Sequence, residues 1–319
     1  MYTNANICKQ DNLRLAYQRL ITNPESTYKN YFRDTYNAYG LALDDNIKLL
    51  YKKLKAGYLP ASSIHAFLPK SNGLSRLYTL LSIEDQIVYQ AYANIIAVSL
   101  SSDSHVKRRY KKSVFGNLFT NAASPFFYQP WQNSYKAYTS AVVNSYNSGK
   151  EYIASFDLTA CYDSINHRLL ESLLVKKYHF SERCAQEFTR LLQQWGSELS
   201  FTLATGIPQG PQASGIIAEI ALTQYDEYIE KLKSKYQFDY FRYVDDIKIL
   251  APDEKTVRWI LFLLDKKSKE LGLFPQSSKV ETHKIINIDD ELKRISKPLF
   301  DDEFDESTKS KIQCKASKR

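Results

Sequence analysis

Apolar positions three and four apart run through residues 11–20 and 44–54, the spacing of helices with one buried face, and Gly57 with Pro60 closes the second. Over residues 63–81 the pattern shortens to extended pieces around Ser71-Asn72-Gly73, which predicts a hairpin. Helical spacing returns over 83–100. A basic and aromatic segment follows as far as Tyr135, and then a helix over 136–148 closed by Gly149. Residues 151–158 have the continuous apolar character of a buried strand. Helices are predicted over 167–178 and 181–195, the second with Ser181 as its N-cap, and a longer one over 216–236. Two short apolar runs, 240–244 and 247–250, flank Asp245-Asp246 in the shape of a hairpin with a two-residue turn. A helix over 256–272 ends at glycine, and an acidic linker over 299–306 leads into a Lys-rich tail expected to be disordered.

Composition narrows this helix-rich picture. The 319 residues are 44% hydrophobic and 24% charged, which excludes a disordered, collagen-like or coiled-coil chain and allows one large domain or two small ones. Gly and Pro number only ten each, which favours long helices joined by few tight turns, yet Gly196, Gly206, Gly210 and Gly215 crowd into twenty residues. No apolar run reaches the roughly 18–20 residues of a membrane span and the polar start lacks a secretion signal, so a soluble cytoplasmic protein is expected. Cys8, Cys161, Cys184 and Cys314 are scattered, without zinc-site or disulfide spacing. The net charge of +8 and the 24 tyrosines suit nucleic acid, where cations neutralise phosphate and aromatic faces stack on bases; a merely soluble basic surface fits the composition equally well.

The chemistry concentrates in carboxylates. Asp157 ends one predicted strand and Asp245-Asp246 sits at the tip of a predicted hairpin; if those strands pair, three carboxylates meet. Such a cluster is repulsive unless divalent cations lie between the oxygens, and hard oxygen ligands select Mg2+ or Mn2+. Two ions roughly 3.5–4 Å apart stabilise both the attacking and the leaving oxygen in phosphoryl transfer. A solvated turn with an unrelated strand-end aspartate is the bland alternative.

The run Phe156-Asp157-Leu158-Thr159-Ala160-Cys161-Tyr162 and the run Tyr243-Val244-Asp245-Asp246 resemble the first and third palm motifs of reverse transcriptases. Between them, residues 206–214 (Gly-Ile-Pro-Gln-Gly-Pro-Gln-Ala-Ser) look like the Pro-Gln-Gly motif. Upstream, Leu68-Pro69-Lys70 with Arg76, then residues 82–91, are similar to the fingers motifs of the bacterial branch that includes group II intron and retron enzymes. Downstream, Leu271-Gly272-Leu273 followed by Lys279 resembles the fourth palm motif. The resemblance covers residues 68 to about 284. Leu77 after Arg76 and Pro211 after Gly210 depart from the family pattern.

The resemblance implies an α+β, helix-rich chain: right-hand polymerase fingers and palm, with a small antiparallel palm sheet and a minimal or missing thumb. It divides the chain into an N-terminal helical region over 1–62, fingers over 63–150, palm over 151–284, and a short thumb remnant or basic tail over 285–319. It makes Asp157, Asp245, Asp246 and the Leu158 carbonyl the ligands of two Mg2+ ions, with Mn2+ as a substitute. Tyr162 becomes the aromatic that excludes a 2′-hydroxyl, Gln209 and Gly210 contact the incoming nucleotide and template, Lys70 and Arg76 grip the triphosphate, and Lys279 protonates the leaving pyrophosphate. In that context Lys107, Arg108, Arg109, Lys111 and Lys112, with Phe126-Phe127-Tyr128 and Trp131 nearby, are candidates to hold a nucleic-acid backbone.

The implied activity is RNA-directed DNA polymerase. It takes dNTPs and an RNA template, expected to be a noncoding RNA, and makes DNA, in the manner of the defence-associated and abortive-infection enzymes of bacteria. A second copy or a second protein subunit is left open as a partner, and no membrane is implied. Template-independent or protein-primed synthesis and a catalytically silent RNA-binding scaffold are the alternatives; Tyr162 disfavours an RNA polymerase of similar palm.

Overall fold

The computed structural model describes residues 1–22, 26–69, 73–196 and 204–300, the last five as backbone only. The chain opens on short and medium helices, α1 (Asn4–Ile7), α2 (Gln10–Ile21), α3 (Thr27–Asn30), α4 (Arg33–Gly40) and α5 (Leu43–Gly57). Gly57 ends α5 with φ of +100°, a conformation free of strain only for glycine. The expected hairpin follows as β1 (Ile64–Pro69) and β2 (Ser75–Leu80), in a register that sets Leu68 opposite Arg76.

The helix α6 (Ile83–Ser102) is the spine of the molecule, buried on nearly every side between α2 and α12 (Ala213–Leu232). Its start is fixed by Ser82, whose Oγ accepts from the Asp85 amide. The buried Asp85 carboxylate in turn accepts from the Tyr58 hydroxyl and the Ala61 amide, so a charged residue is tolerated in the core because its oxygens are taken. After α7 (Ser104–Arg109) comes α8 (Trp131–Asn147), which begins at Trp131 and not at 136 because Pro130 supplies the extended residue that leads into it.

A second, five-stranded sheet is built on β3 (Tyr152–Thr159). The chain passes through α9 (Cys161–Ser164), α10 (His167–Lys176), α11 (Glu182–Gly196) and α12 before returning to the sheet as β4 (Asp239–Tyr243) and β5 (Asp246–Ala251). Ser181 caps α11 as expected, its Oγ accepting from the Cys184 amide at 3.3 Å. Then α13 (Glu254–Glu270) leads to β6 (Phe274–Pro275) and β7 (Glu281–Lys284). The strand order is β4-β5-β3, with β6 and β7 both on the far edge of β3, and every pairing is antiparallel.

Alternation along the strands gives this sheet two faces. Ala154, Phe156, Leu158, Ile247 and Ile249 belong to the large core shared with α6, α12 and α13. Ile153, Phe241 and Leu250 belong to a smaller core with Tyr138 and Val142 of α8 and with Ile285 and Ile295. That second core includes α14 (Ile288–Phe300), an amphipathic helix where the sequence reading foresaw a remnant or a tail. The described cysteines Cys8, Cys161 and Cys184 are buried and unbridged, and among the described residues no helix is long and apolar enough to cross a membrane.

Candidate active site

The pairing of β3 with β5 brings the carboxylates together. Asp157 and Asp246 are direct cross-strand partners, so their side chains leave the sheet on the same face, and Asp245 lies in the adjoining turn. The Asp157 amide plane is tied to the opposite edge, its carbonyl accepting from Gln276 N at 2.8 Å. Because successive residues of a strand direct their N–H and C=O to opposite sides, the Leu158 carbonyl is turned toward the β5 side, where Asp245 lies.

These carboxylates have unequal surroundings. Burial, and after it the charge of Asp157, pushes the Asp245 carboxyl up to about 6, with Lys279 pulling weakly the other way. Asp157 Oδ2 accepts from Lys279 Nζ at 3.1 Å, so the loose downstream motif does reach the site. Asp246 is occupied on both oxygens: Oδ1 by Lys248 Nζ at 3.0 Å and Oδ2 by the Tyr138 hydroxyl at 3.4 Å. Among the described residues no group of three or more His, Cys, Asp or Glu stands close enough to hold a metal ion together, because Asp246 faces Lys248 and Tyr138. Asp157 and Asp245, with the Leu158 carbonyl beside them, form the hard-oxygen set that fits a divalent cation.

The turn itself differs by one residue from the expected one. Val244 and Asp245 occupy it, and Asp246 is already paired with Tyr243 as the first residue of β5. Val244 has φ of +58°, a left-handed conformation that a β-branched residue adopts only under constraint. Ala160, just after the β3 carboxylate strand, is also left-handed, at +47°. Gly116 faces the turn: a Cβ there would stand 2.5 Å from Val244 N.

On the nucleotide side, Tyr162 is partly buried on α9 and its carbonyl accepts from Ile207 N at 3.0 Å, which ties it to the start of the Pro-Gln-Gly loop. Burial, then the charge of Asp245, raises its phenol, so the hydroxyl stays neutral. The Gln209 carbonyl accepts from Thr79 N at 2.9 Å, joining that loop to β2. Gly210 has φ of +112°, and a Cβ there would lie 2.2 Å from the Tyr28 ring. The close approach that glycine permits is therefore made by Tyr28, whose hydroxyl also bonds the Thr79 carbonyl and the Leu81 amide of the hairpin. Arg76 is on β2 opposite Leu68; Lys70 lies outside the described residues.

The basic run separates into two kinds of residue. Lys107, Arg108, Lys111 and Lys112 are exposed, whereas Arg109 is only 3% exposed and faces Glu230 at 3.2 Å and Glu227 at 3.8 Å. Arg109 is thus a packed ion-pair residue that a phosphate does not reach. The aromatic group divides likewise: Phe127 is core, the Tyr128 hydroxyl donates to the Gln212 carbonyl, and Phe126 and Trp131 are exposed.

The sequence reading missed Tyr138 and Lys248 beside Asp246, Tyr28 over Gly210, and Arg242 beneath the turn. Arg242 alternates with aromatic residues in β4 and so carries the sequence signal of an outward-facing cation, yet it is fully buried. Asp226 and Glu219 hold its guanidinium above the usual arginine range, against the opposing pull of burial.

The sequence profile of the family described as reverse transcriptase (RNA-dependent DNA polymerase) matches residues 68–303. A 91 kDa protein in the cob intron of Schizosaccharomyces pombe is 28% identical over 236 residues, which are 73% of this chain and 26% of that protein. The group II intron-encoded protein LtrA of Lactococcus lactis is 22% identical over 237 residues, 72% of this chain and 35% of LtrA. The chain thus spans about a quarter to a third of these curated relatives. Among solved structures, a telomerase from Candida albicans in complex with a fragment of telomeric RNA superposes with a TM-score of 0.46 and 14% identity, covering 70% of this chain and 43% of that one.

Proposed function

The chain belongs to the reverse transcriptase family and has its helix-rich α+β fingers-and-palm fold, and on that premise we propose that it is an RNA-directed DNA polymerase adding deoxynucleotides to a 3′-hydroxyl at Asp157 and Asp245. The observation that carries the proposal is the antiparallel pairing of β3 with β5, which sets Asp157 opposite Asp246 with Asp245 in the adjoining turn, where burial and then the charge of Asp157 raise the Asp245 carboxyl to about 6. A divalent cation bound there would acidify the primer hydroxyl and offset charge on the transferred phosphoryl group. Asp157, Asp245 and the Leu158 carbonyl would hold it, with Asp246 recruited only if it leaves Lys248 and Tyr138.

The remaining roles fall to this chain's own side chains. Lys279, now on Asp157, is exposed enough to swing to a leaving pyrophosphate once a cation takes its place. Tyr162 would be the sugar gate, and the loop of Gln209 and Gly210, fixed to the fingers hairpin at Thr79 and packed at Gly210 against Tyr28, would meet the incoming nucleotide and template through Gln209. Arg76 and Lys70 would grip the triphosphate, and Lys107, Arg108, Lys111 and Lys112 would follow the nucleic-acid backbone. A noncoding RNA as template and a role in anti-phage defence complete the proposal; they rest on the sequence resemblance.

The test is incorporation of labelled deoxynucleotides by purified protein with Mg2+ or Mn2+, with and without copurified RNA, beside Asp245→Asn. Incorporation that depends on RNA and is lost in the variant supports the polymerase. RNA-independent incorporation points to untemplated synthesis, and equal inertness of both proteins favours a silent RNA-binding scaffold. Sequencing the copurified RNA identifies the template.

A further inference from the structure

The carboxylate turn stands on a buried polar network that the chemistry does not use. Arg242 of β4 is 0% exposed and lies between Glu219 and Asp226 of α12. Its Nε donates to Asp226 Oδ1 at 3.0 Å and its Nη2 to Asp226 Oδ2 and Glu219 Oε2, both at 2.8 Å. Its Nη1 donates to Glu219 Oε1 at 3.0 Å and to the Val244 carbonyl at 2.8 Å. A guanidinium has five N–H donors in a rigid fork. Four are spent on the two carboxylates, and the fifth holds the turn at the residue whose φ is +58°.

The turn is also confined by the segment around Gly116. Ser113 and Phe115 extend the outer edge of β4, with Arg242 N donating to the Ser113 carbonyl at 2.7 Å and Phe115 N to the Arg242 carbonyl at 2.9 Å. The next residue is Gly116, which lacks a Cβ where one would meet the Val244 nitrogen at 2.5 Å and its Cγ2 at 2.6 Å. The turn is thus held by the Arg242 hydrogen bond at its carbonyl and packed closely against Gly116 at the Val244 nitrogen and side chain.

We propose that Arg242, anchored by Glu219 and Asp226, is a positioning residue that holds the Val244–Asp245 turn in its left-handed conformation and so fixes the Asp245 carboxylate against Asp157. It makes α12, which begins directly after the Pro-Gln-Gly loop, the element that sets the turn's height, so a shift of that loop reaches the carboxylates through Glu219 and Asp226. A network of two acids and one base has no advantage over an apolar core for stability alone, whereas its fixed fork geometry specifies one arrangement of the turn. The inference rests on the proposed polymerase reading only for its activity readout.

Two variants test it. Arg242→Lys keeps the charge but brings three donors where the guanidinium uses five, and Gly116→Ala leaves the network intact while its methyl group displaces the turn. Each is compared with the wild type by thermal melting, by hydrogen exchange of the peptide spanning residues 239–251, and by kcat and KM for deoxynucleotide incorporation. Folded variants are expected to exchange the turn amides at least about tenfold faster and to lose about tenfold to a hundredfold in kcat, with nucleotide KM changed less than about threefold. Unchanged exchange and kcat in folded variants overturn the proposal. So does a kcat deficit that vanishes when each protein is assayed equally far below its own melting temperature. Should Arg242→Lys fail to fold, Glu219→Gln, which loosens the anchor of Arg242 without removing it, takes its place. A wild type that incorporates nothing counts against the polymerase reading, while the exchange comparison still decides the positioning role.

Discussion

Asp245 carries opposing demands on one side chain. Its folded carboxyl titrates near 6, well above the ordinary aspartate value of 3.8, so the folded state holds the proton more tightly than the unfolded chain. Stability from that proton is present below the unfolded value and is lost as pH rises through 6. In a chelating buffer, Asp245→Asn is therefore expected to melt higher than wild type at pH 7.5, by about 1–3 kcal/mol, and level with it near pH 4. Paired melting curves at the two pH values check this; an equal offset at both would mean that the gain does not come from the carboxylate charge. Tyr162 gives a second residue-level expectation. Replacing it by alanine should lower discrimination against ribonucleotides by about tenfold or more, measured as the ratio of kcat/KM for the two sugars. An unchanged ratio removes the gate assignment.

How much of the site was legible at this scale depended on what a residue's neighbours in sequence disclose. Asp157, Asp245 and Asp246 stood out less as carboxylates at strand ends, which a solvated turn explains as well, than through the surrounding runs that resemble palm motifs of reverse transcriptases. Tyr138, which bonds Asp246, was hidden because it looks like an ordinary helix tyrosine and only the position of α8 brings it there, whereas Lys248 lies two residues along β5 on the same face as Asp246, a neighbour that strand alternation alone discloses. Arg109 read as one more cation in a run and is instead shut against Glu227 and Glu230, on the buried side of α7 with Val106.

At the scale of elements, helices and strands with clean periodicity were found close to their expected limits. The exceptions have local causes. The start of α8 was misplaced because Trp131 and Tyr135 resemble an aromatic loop until Pro130 is recognised as a helix start. The helix α14 was missed because Pro298 argues locally against a helix, although the acids of its first turn, Asp289, Asp290 and Glu291, are the kind that favour a helix N-terminus. The Pro-Gln-Gly loop is an element whose partner was unforeseen: Tyr28 packs where Gly210 has no side chain. Gly210→Ala should destabilise the fold by about 2 kcal/mol or more, through both the φ of +112° and the clash with the ring. Combining it with Tyr28→Ala should cost less than the sum of the two single changes, as a double-mutant cycle by denaturant unfolding will show.

For the whole molecule, the net charge of +8 has to be assigned to the cations that can reach a ligand. Alanine at both Lys111 and Lys112 should flatten the salt dependence of nucleic-acid binding, by about 0.7–0.9 in the log–log slope for each phosphate that is no longer neutralised, with melting unchanged. Arg109→Ala should do the reverse, leaving the slope intact and lowering stability by about 1–2 kcal/mol. Titrations at several salt concentrations separate the two, and a slope change in Arg109→Ala would return that residue to the nucleic-acid face.

The central position of β3 has a consequence for how the chain is made. Its partners on one side are complete at residue 251 and on the other only at residue 284, so the strand bearing Asp157 emerges from the ribosome long before anything exists to pair with it. Pairings this distant in sequence slow folding and leave a bare strand edge exposed meanwhile. During synthesis α6 can gather α2 as soon as it emerges, since that packing partner already precedes it in the chain, while β3 must wait for strands that follow it. A nascent chain arrested before β4 and β5 therefore presents a formed helical layer with an unpaired β3, which is the state a chaperone would meet.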